Sequence, residues 1–559
     1  MYPKTALAQL IILAVHQSGI ETVVVSPGSR NAPLTIGFSN HPKIQTLSIV
    51  DERSAAFFAL GVAQQTQKPV ALVCTSGSAL LNYYPAIAEA FYSNIPLVII
   101  SADRPKYLID IGDGQTIRQE NVFQNHILFS ANLIENDSKV KVQNSKLVAE
   151  AIQTAISNKG PVHINVPFDE PLYETVNEID SVITNKVQQS LEANVIANKV
   201  KQSLFPQKFS KIWNASSKKL ILVGTHFPDN ELQFVLNHFV NDASVLIMTE
   251  TTSNLYHPKF INSIDQLIFS LDKNQQKELQ PDVLITLGGM VVSKKIKQFL
   301  RKHQPKHHWH VDALKPMDTY FCLTEFVQQK PFVFLGDLSL KKVELESNYQ
   351  QKWLLEKEDR EKNHQRILAK TKYSDLKVFE QVLKSVPNNC NLQLGNSSTI
   401  RYTQLFDINK ALTVFCNRGT SGIDGSTSTA IGAAFAKGNQ TVFITGDLSF
   451  FYDSNALWNN YIPKNFRIII MNNAGGGIFR VIPGPQTTNA TDYFETPHNL
   501  TAEYLAKMYH FSYQSTNDIE SLNVVLADFY SESNQPKILE IFTPKEINDV
   551  VLKNYFKNV

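Results

Sequence analysis

The pair Gly446-Asp447, followed 26 positions after the aspartate by Asn473 in Asn472-Asn473-Ala474-Gly475-Gly476, constrains this chain more than any other feature. Each half ends a short apolar run, Thr441-Val442-Phe443-Ile444-Thr445 before the first and Phe466-Arg467-Ile468-Ile469-Ile470-Met471 before the second. β-Branched runs of this length that stop at Gly, Asp or Asn read as buried parallel strands. Open α/β sheets take their ligands beyond the carboxyl ends of such strands. One strand end offers a carboxylate; the other offers an amide oxygen and the backbone carbonyls of glycines. A hard-oxygen site with so few charges suits Mg²⁺, which keeps several waters and takes further ligands from phosphates. A metal-bound diphosphate is therefore the expected guest. Asp, Asn and Gly are also turn formers, so two ordinary strand-end turns are the alternative on these residues alone.

A chain of 559 residues has room for about three or four domains. Its 43% hydrophobic and 19% charged content is that of a globular protein. With 53 basic against 51 acidic residues, it lacks the basic excess of a nucleic-acid binder, and no apolar run is long enough to span a membrane. Leu10–Val15 resembles a signal core, but only Lys4 precedes it and no small-residue cleavage site follows, so it reads as an opening helix. The cysteines Cys74, Cys322, Cys390 and Cys416 are scattered, with no Cys-x-x-Cys pair. Neither a zinc site nor a disulfide framework is expected, and a reducing cytoplasm fits. Cys74 and Cys416 sit in apolar runs and are expected to be buried.

Three α/β blocks are visible. The first, to about residue 180, has expected strands at Glu21–Ser26, Ile44–Val50, Val70–Cys74, Ile95–Ser101 and Val162–Val166, with helices at Glu52–Gln65 and Ala79–Tyr92. A polar linker is expected around Asn185–Gln202. The second block, about 206–340, has strands at Lys219–Val223, Ser244–Thr249, Asp282–Leu287 and Phe332–Leu335. The charged segment Lys341–Lys372 reads as a solvated helix and connector. The third block, about 375–559, has strands at Asn391–Leu394, Leu412–Cys416, Thr441–Thr445, Phe466–Met471 and Lys537–Phe542. The blocks are alike in size and pattern, but no sequence repeat is apparent.

Other chemistry-bearing residues gather at expected strand ends. Asp51-Glu52-Arg53 lies between the run Thr46–Val50 and the helical pattern Ser54–Leu60. Read alone, Glu52 is better explained as a first-turn acid favoured by the helix dipole than as a catalytic group. Ser26-Pro27-Gly28-Ser29-Arg30 and Ser101-Ala102-Asp103-Arg104-Pro105 end two strands of the first block, and Gly112–Gln119 follows shortly after the second. Gly395-Asn396-Ser397-Ser398 with Arg401, and Asn417-Arg418-Gly419-Thr420-Ser421-Gly422-Ile423-Asp424-Gly425, end two strands of the third. Each arginine taken singly is explained as a solvated or ion-paired charge. Four of them near strand ends suggest recognition of a substrate, or two, carrying several carboxylates.

The Gly446-Asp447…Asn473 spacing resembles the metal motif of thiamine-diphosphate enzymes. Three consecutive, doubly wound, mostly parallel-sheet α/β domains match the thiamine-diphosphate decarboxylase plan: a pyrimidine-binding domain (1–180), a central domain (206–340) and a diphosphate-binding domain (375–559). The resemblance spans essentially the whole chain. It implies that Asp447, the Asn473 side chain and the Gly475 carbonyl hold Mg²⁺, with Mn²⁺ as an alternative, and that the metal holds the diphosphate of thiamine diphosphate. Glu52, Asn396, Gly446, Leu448 and Ser449 are implied to contact the cofactor, and Ile423 to sit behind it and impose its bent shape. In this family a glutamate at the place of Glu52 shares a proton with N1′ of the aminopyrimidine, which lets the cofactor's own nitrogen remove the thiazolium C2 proton. Such a carboxyl needs poor solvation and a raised pKa, and Ala55-Ala56-Phe57-Phe58 offers that setting. Because Glu52 and Asp447 fall in different expected domains, the cofactor must bridge two. The family usually does this between subunits, which implies a homodimer or a dimer of dimers.

The segments Ser26–Arg30, Ser101–Pro105 and Asn417–Gly425, in this order with the metal motif behind them, are similar to those of the menaquinone-pathway synthases of that family. That resemblance implies decarboxylation of 2-oxoglutarate and 1,4-addition of the succinyl unit to C2 of isochorismate. Ser29, Arg30, Arg104, Gln115, Ser397, Arg401 and Arg418 would line the substrate site, with Ile478 and Phe479 as an apolar wall. Lys294 and Lys295 match a basic pair that is Lys-Arg in some relatives, though they are equally an exposed helix end after Gly288-Gly289. Ala474 departs from an Asn seen in relatives but lies between the implied ligands. An acetolactate-synthase-like carboligase or simple decarboxylase would explain the metal motif and Glu52 but not the arginines. An inactive scaffold subunit is opposed by the presence of Glu52, Asp447 and Asn473.

Overall fold

The computed structural model describes residues 1–135, 138–179, 205–343, 345–482 and 484–559, and its apolar runs form three parallel sheets flanked by helices. The expected linker around Asn185–Gln202 lies outside the described residues. The first sheet runs, in space, Gln45–Ser48, Thr22–Val25, Val70–Cys74, Leu97–Asp103, Val162–Pro167, Ser130–Asn132. The third runs Thr413–Cys416, Asn391–Leu394, Thr441–Gly446, Phe466–Asn472, Lys537–Phe542, Ser512–Thr516. Both therefore have the strand order 2-1-3-4-6-5 in their own numbering. The middle sheet has five strands, Val245–Thr249, Lys219–Val223, Val283–Leu287, His307–Val311 and Glu325–Val327. Tyr2–Pro3 and Thr175–Val176 add a small antiparallel pair.

The described residues divide into two compact units. One takes the described residues up to 201 together with Gly419–Asn439 and Ser449–Phe466. The other takes those from 202 to Arg418 with Gln440–Leu448 and Arg467–Val559. In the first unit the helices Glu52–Thr66 and Ser426–Lys437 touch backbone to backbone. A Cβ on Gly61 would come within 2.1 Å of the Thr429 carbonyl oxygen, and one on Gly432 within 2.1 Å of the Phe58 carbonyl oxygen. Two glycines thus draw a sequence-remote helix onto the one that opens at Glu52.

Several expectations are corrected. Phe332–Leu335 is not a strand but part of the helix Pro331–Ser339, started by proline in its first turn and burying Phe334, Leu335 and Leu338 together. The edge place in that sheet goes to Glu325–Val327. His307–Val311 is an unexpected strand because its histidines hide the pattern. His308 and His310 are buried against the Thr286 hydroxyl at 2.9 and 3.0 Å, while Trp309 and Val311 enter the core. The expected helix Ala79–Tyr92 breaks at Tyr83 into Ala79–Asn82 and Tyr84–Ser93. Pro85 has no N–H to continue the ladder. The charged helix Tyr349–Lys370 is less solvated than expected, since Tyr349, Trp353 and Leu368 are buried.

Candidate active site

In the third sheet the strand order reverses between Asn391–Leu394 and Thr441–Gly446, the place where a crevice opens beyond the strand ends. Those ends carry Gly395-Asn396-Ser397 and Gly446-Asp447, and the neighbouring strand Phe466–Asn472 delivers Asn473. Asp447 is buried. One of its oxygens accepts from the Leu448 N–H at 2.6 Å; the other accepts from the Gly475 N–H at 3.0 Å and lies 3.3 Å from His498 Nε2. Gly475 has φ +138°, and a Cβ there would sit 2.5 Å from the Glu495 carbonyl oxygen, so only glycine fits. Asn473 donates its Nδ2 to Asp375 at 2.9 Å, and its Oδ1 is buried with no hydrogen-bond partner. The Gly475 carbonyl accepts from the Gly477 N–H at 3.0 Å and keeps one lone pair.

The same unit holds a cavity of about 750 Å³ lined by Asn473, Ser398, Arg401, Lys294, Lys295 and Ile478, among others. Seven basic side chains against three acidic ones line it, which favours an anionic ligand. Val292, Tyr402, Leu405, Ile478, Val481 and Leu552 give it an apolar wall. Lys294 and Lys295 open the helix Lys294–Lys302, whose start is fixed by buried Glu250 accepting from the N–H groups of Val292 (2.6 Å) and Ser293 (2.7 Å). Lys294 is exposed, and the Lys295 ammonium stands 4.6 Å from the Phe269 ring centre. Arg401 is half-buried and donates to the Ser397 carbonyl at 2.9 Å. Burial, and then the nearby Arg418 guanidinium, lower its pKa. Asn396 ties the strand ends together: its Nδ2 donates to the Asn417 carbonyl and its Oδ1 accepts from Arg418, both at 2.7 Å. Ser397, Arg418 and Phe479 are not among the cavity-lining residues; Phe479 packs on Phe494 at 5.3 Å.

The first unit holds the remaining expected residues. Glu52 begins the helix Glu52–Thr66 behind an Asp51 N-cap that accepts from the Ser54 N–H at 2.8 Å. Burial raises its carboxyl pKa. Arg30 is 4% exposed, donates to the Phe168 carbonyl at 2.8 Å and lies 3.3 Å from Glu170. Burial, and then the charge of Arg104, lower its pKa. Ser29 and Gln115 are exposed. The loop carrying Ile423 is held from both sides. Buried Glu89 accepts from the Gly419 and Thr420 N–H groups at 2.7 Å, and Asp424 receives Arg53 at 2.6 Å. The Ile423 carbonyl accepts from Ser449 Oγ at 2.9 Å.

Residues 5–131 match the thiamine pyrophosphate enzyme N-terminal TPP-binding domain, 189–394 the middle domain of thiamine pyrophosphate enzymes, and 395–541 the C-terminal TPP-binding domain. The chain is 56% identical over 563 residues to the 2-succinyl-5-enolpyruvyl-6-hydroxy-3-cyclohexene-1-carboxylate synthase of Flavobacterium johnsoniae, with 100% of both chains covered. The synthase of the same name from Flavobacterium psychrophilum is 55% identical with the same coverage. That of Bacteroides thetaiotaomicron is 36% identical, with 99% of this chain and 98% of the relative covered. The chain belongs to the 2-succinyl-5-enolpyruvyl-6-hydroxy-3-cyclohexene-1-carboxylate synthase family of thiamine pyrophosphate enzymes.

As a member of that synthase family it is a thiamine-diphosphate-dependent enzyme with the three-part α/β fold. The residues present fit the cofactor's metal. Asn473 Oδ1 is a buried acceptor with no hydrogen-bond partner, which leaves it open to a cation. Asp447, Asn473 Oδ1 and the Gly475 carbonyl would offer only oxygens and a single negative charge, the kind of donor set Mg²⁺ prefers. Glu89, Arg53 and Asp375 went unrecognised in the sequence. Each lies within or at the start of an ordinary helical pattern, and only the fold brings its partners to it.

Proposed function

We propose that this chain is a Mg²⁺-dependent synthase of menaquinone biosynthesis that decarboxylates 2-oxoglutarate and adds the succinyl unit to C2 of isochorismate. The observation that carries the reading is the cavity in which Arg401, Lys294 and Lys295 share walls with Asn473. Fixed cations beside a metal and diphosphate site are what two dicarboxylic substrates need. Thiamine diphosphate, when bound, supplies the nucleophilic carbon and the electron sink. Asp447, Asn473 Oδ1 and the Gly475 carbonyl would hold its metal; Asn396, Gly446, Leu448, Ser449 and Ile423 would contact the cofactor itself. Glu52 would hold the proton at N1′. Arg401 would bind the distal carboxylate of 2-oxoglutarate, while Arg104 and Lys294 would bind isochorismate. Ser29, Arg30, Gln115, Lys295, Ser397 and Arg418 would complete the polar surround, and Ile478 and Phe479 the apolar wall.

We further propose a homodimer or dimer of dimers with sites formed between subunits. In its support, Tyr493, Phe494, Leu500, Tyr504 and Met508 all lie exposed within one stretch. We also propose placement in the cytoplasm, where thiols such as those of Cys74, Cys322, Cys390 and Cys416 stay reduced. No helix among the described residues is long and apolar enough to cross a membrane. Incubation with thiamine diphosphate, Mg²⁺, 2-oxoglutarate and isochorismate should yield the succinylated adduct by mass spectrometry. Turnover of pyruvate with no adduct from isochorismate would favour an acetolactate-synthase-like carboligase instead.

A further inference from the structure

Asp375 begins the helix Asp375–Ser385, yet both its oxygens turn to other segments. One accepts Asn473 Nδ2 at 2.9 Å and the other accepts Thr543 Oγ1 at 2.5 Å. Its own N–H donates to Asn548 Oδ1 at 2.8 Å, and Asn548 Nδ2 reaches Thr543 Oγ1 at 3.4 Å. Asp375, Thr543 and Asn548 are all buried, and Asp375 and Asn548 form part of the cavity wall beside Asn473. A carboxylate only accepts hydrogen bonds, so the amide facing it must present its NH₂ group. A flipped amide would set oxygen against oxygen. The carbonyl oxygen of Asn473 is thereby forced to the other side, where it is buried and has no partner.

We infer that Asp375 is a positioning residue that locks the amide of Asn473 with its oxygen turned to the cation site. The inference rests on Asn473 being a metal ligand. Supporting partners that orient a ligand typically contribute about 10–100-fold to metal affinity. An asparagine at 375 offers either an oxygen or an NH₂ group, so it no longer dictates which way Asn473 points.

The test is a Mn²⁺ titration of the full chain at saturating thiamine diphosphate, with free Mn²⁺ read by electron paramagnetic resonance. Asp375→Asn is expected to weaken Mn²⁺ binding by about 10–100-fold. Combined with Asn473→Ala, the same substitution should add less than about threefold, because a residue acting through another loses its effect when that residue is gone. Mn²⁺ affinity within about twofold of wild type in Asp375→Asn, or an equal loss in both backgrounds, overturns the inference. Should Asp375→Asn lack a cooperative melting transition, Thr543→Val decides: weakening of at least about threefold supports the inference and unchanged affinity overturns it. Unchanged binding in Asn473→Ala instead removes the metal-ligand reading, and this inference with it.

Discussion

Glu52 shows what one residue's surroundings do to its chemistry. It is half-buried at a helix start, and burial raises its carboxyl pKa, with nearby Asp51 adding to the rise. Glu52→Gln keeps the shape but has no proton to share, so turnover should fall by about 10²–10⁴-fold, the usual loss for a positioned acid–base group. Hydrogen–deuterium exchange at C2 of bound thiamine diphosphate should slow in parallel; unchanged exchange would remove Glu52 from the reaction. The arginines divide by a similar logic. Arg401 lines the cavity with Asn473, whereas Arg104 lies in the other unit, as Arg30 does. Losing one charge-assisted contact costs about 1.5–3 kcal/mol, roughly 10- to 150-fold in affinity. Arg401→Ala should slow CO₂ release from 2-oxoglutarate with no acceptor present. Arg104→Ala should leave that release nearly normal and impair consumption of isochorismate. Equal impairment of both half-reactions by both variants would refute the division. The sequence made these positions legible because strand ends are marked by Gly, Asp and Asn. It did not reveal that Arg30 and Arg418 already donate to a main-chain carbonyl and to Asn396.

At the scale of elements, the helix Ser426–Lys437 is secured by a carboxylate from another segment. Asp453 accepts from the Ser428 N–H at 2.7 Å and from Ser428 Oγ at 2.9 Å, and it is fully buried. Burial pushes its carboxyl up to about 7. Unfolded, the same group titrates near the ordinary value of about 3.9. The folded protein therefore binds a proton that the unfolded chain has lost, and stability falls as pH rises from about 4 to about 7, then levels off. The effect is on the order of a few kcal/mol. Asp453→Asn should remove it: thermal melts in a pH series should show wild type losing ground to the variant between about pH 4 and 7, with a constant difference above that. Parallel curves throughout would reject the assignment. None of this shows in the local sequence, where Asp453 sits in an unremarkable run, because its partner lies in a separate segment of the chain.

For the whole molecule, ligand binding and assembly are the quantities to measure. A ligand that binds only the folded state at about 100 times its Kd stabilises by about 2.7 kcal/mol. Wild type should show that shift on adding thiamine diphosphate with Mg²⁺. Asp447→Ala, lacking the carboxylate of the proposed metal site, should show little, and a wild-type shift in the variant would sink that role for Asp447. Light scattering should give a mass of at least twice the 62.9 kDa of one chain; a fully active monomer would exclude sites formed between subunits. Strand positions such as Val70–Cys74 and Lys219–Val223 were readable locally, since burial on both faces demands nearly unbroken apolar runs. The strand ends that carry Asp447 and Asn473 were readable too, because both follow apolar runs within one stretch of chain. Three things were not: the shared 2-1-3-4-6-5 order of two sheets without sequence similarity, the joining of Gly419–Asn439 to the first unit, and the turning of Asn473 by Asp375. Each depends on groups distant in sequence meeting in space. Local propensity carries no information about such meetings; close packing and the pairing of buried polar groups determine them.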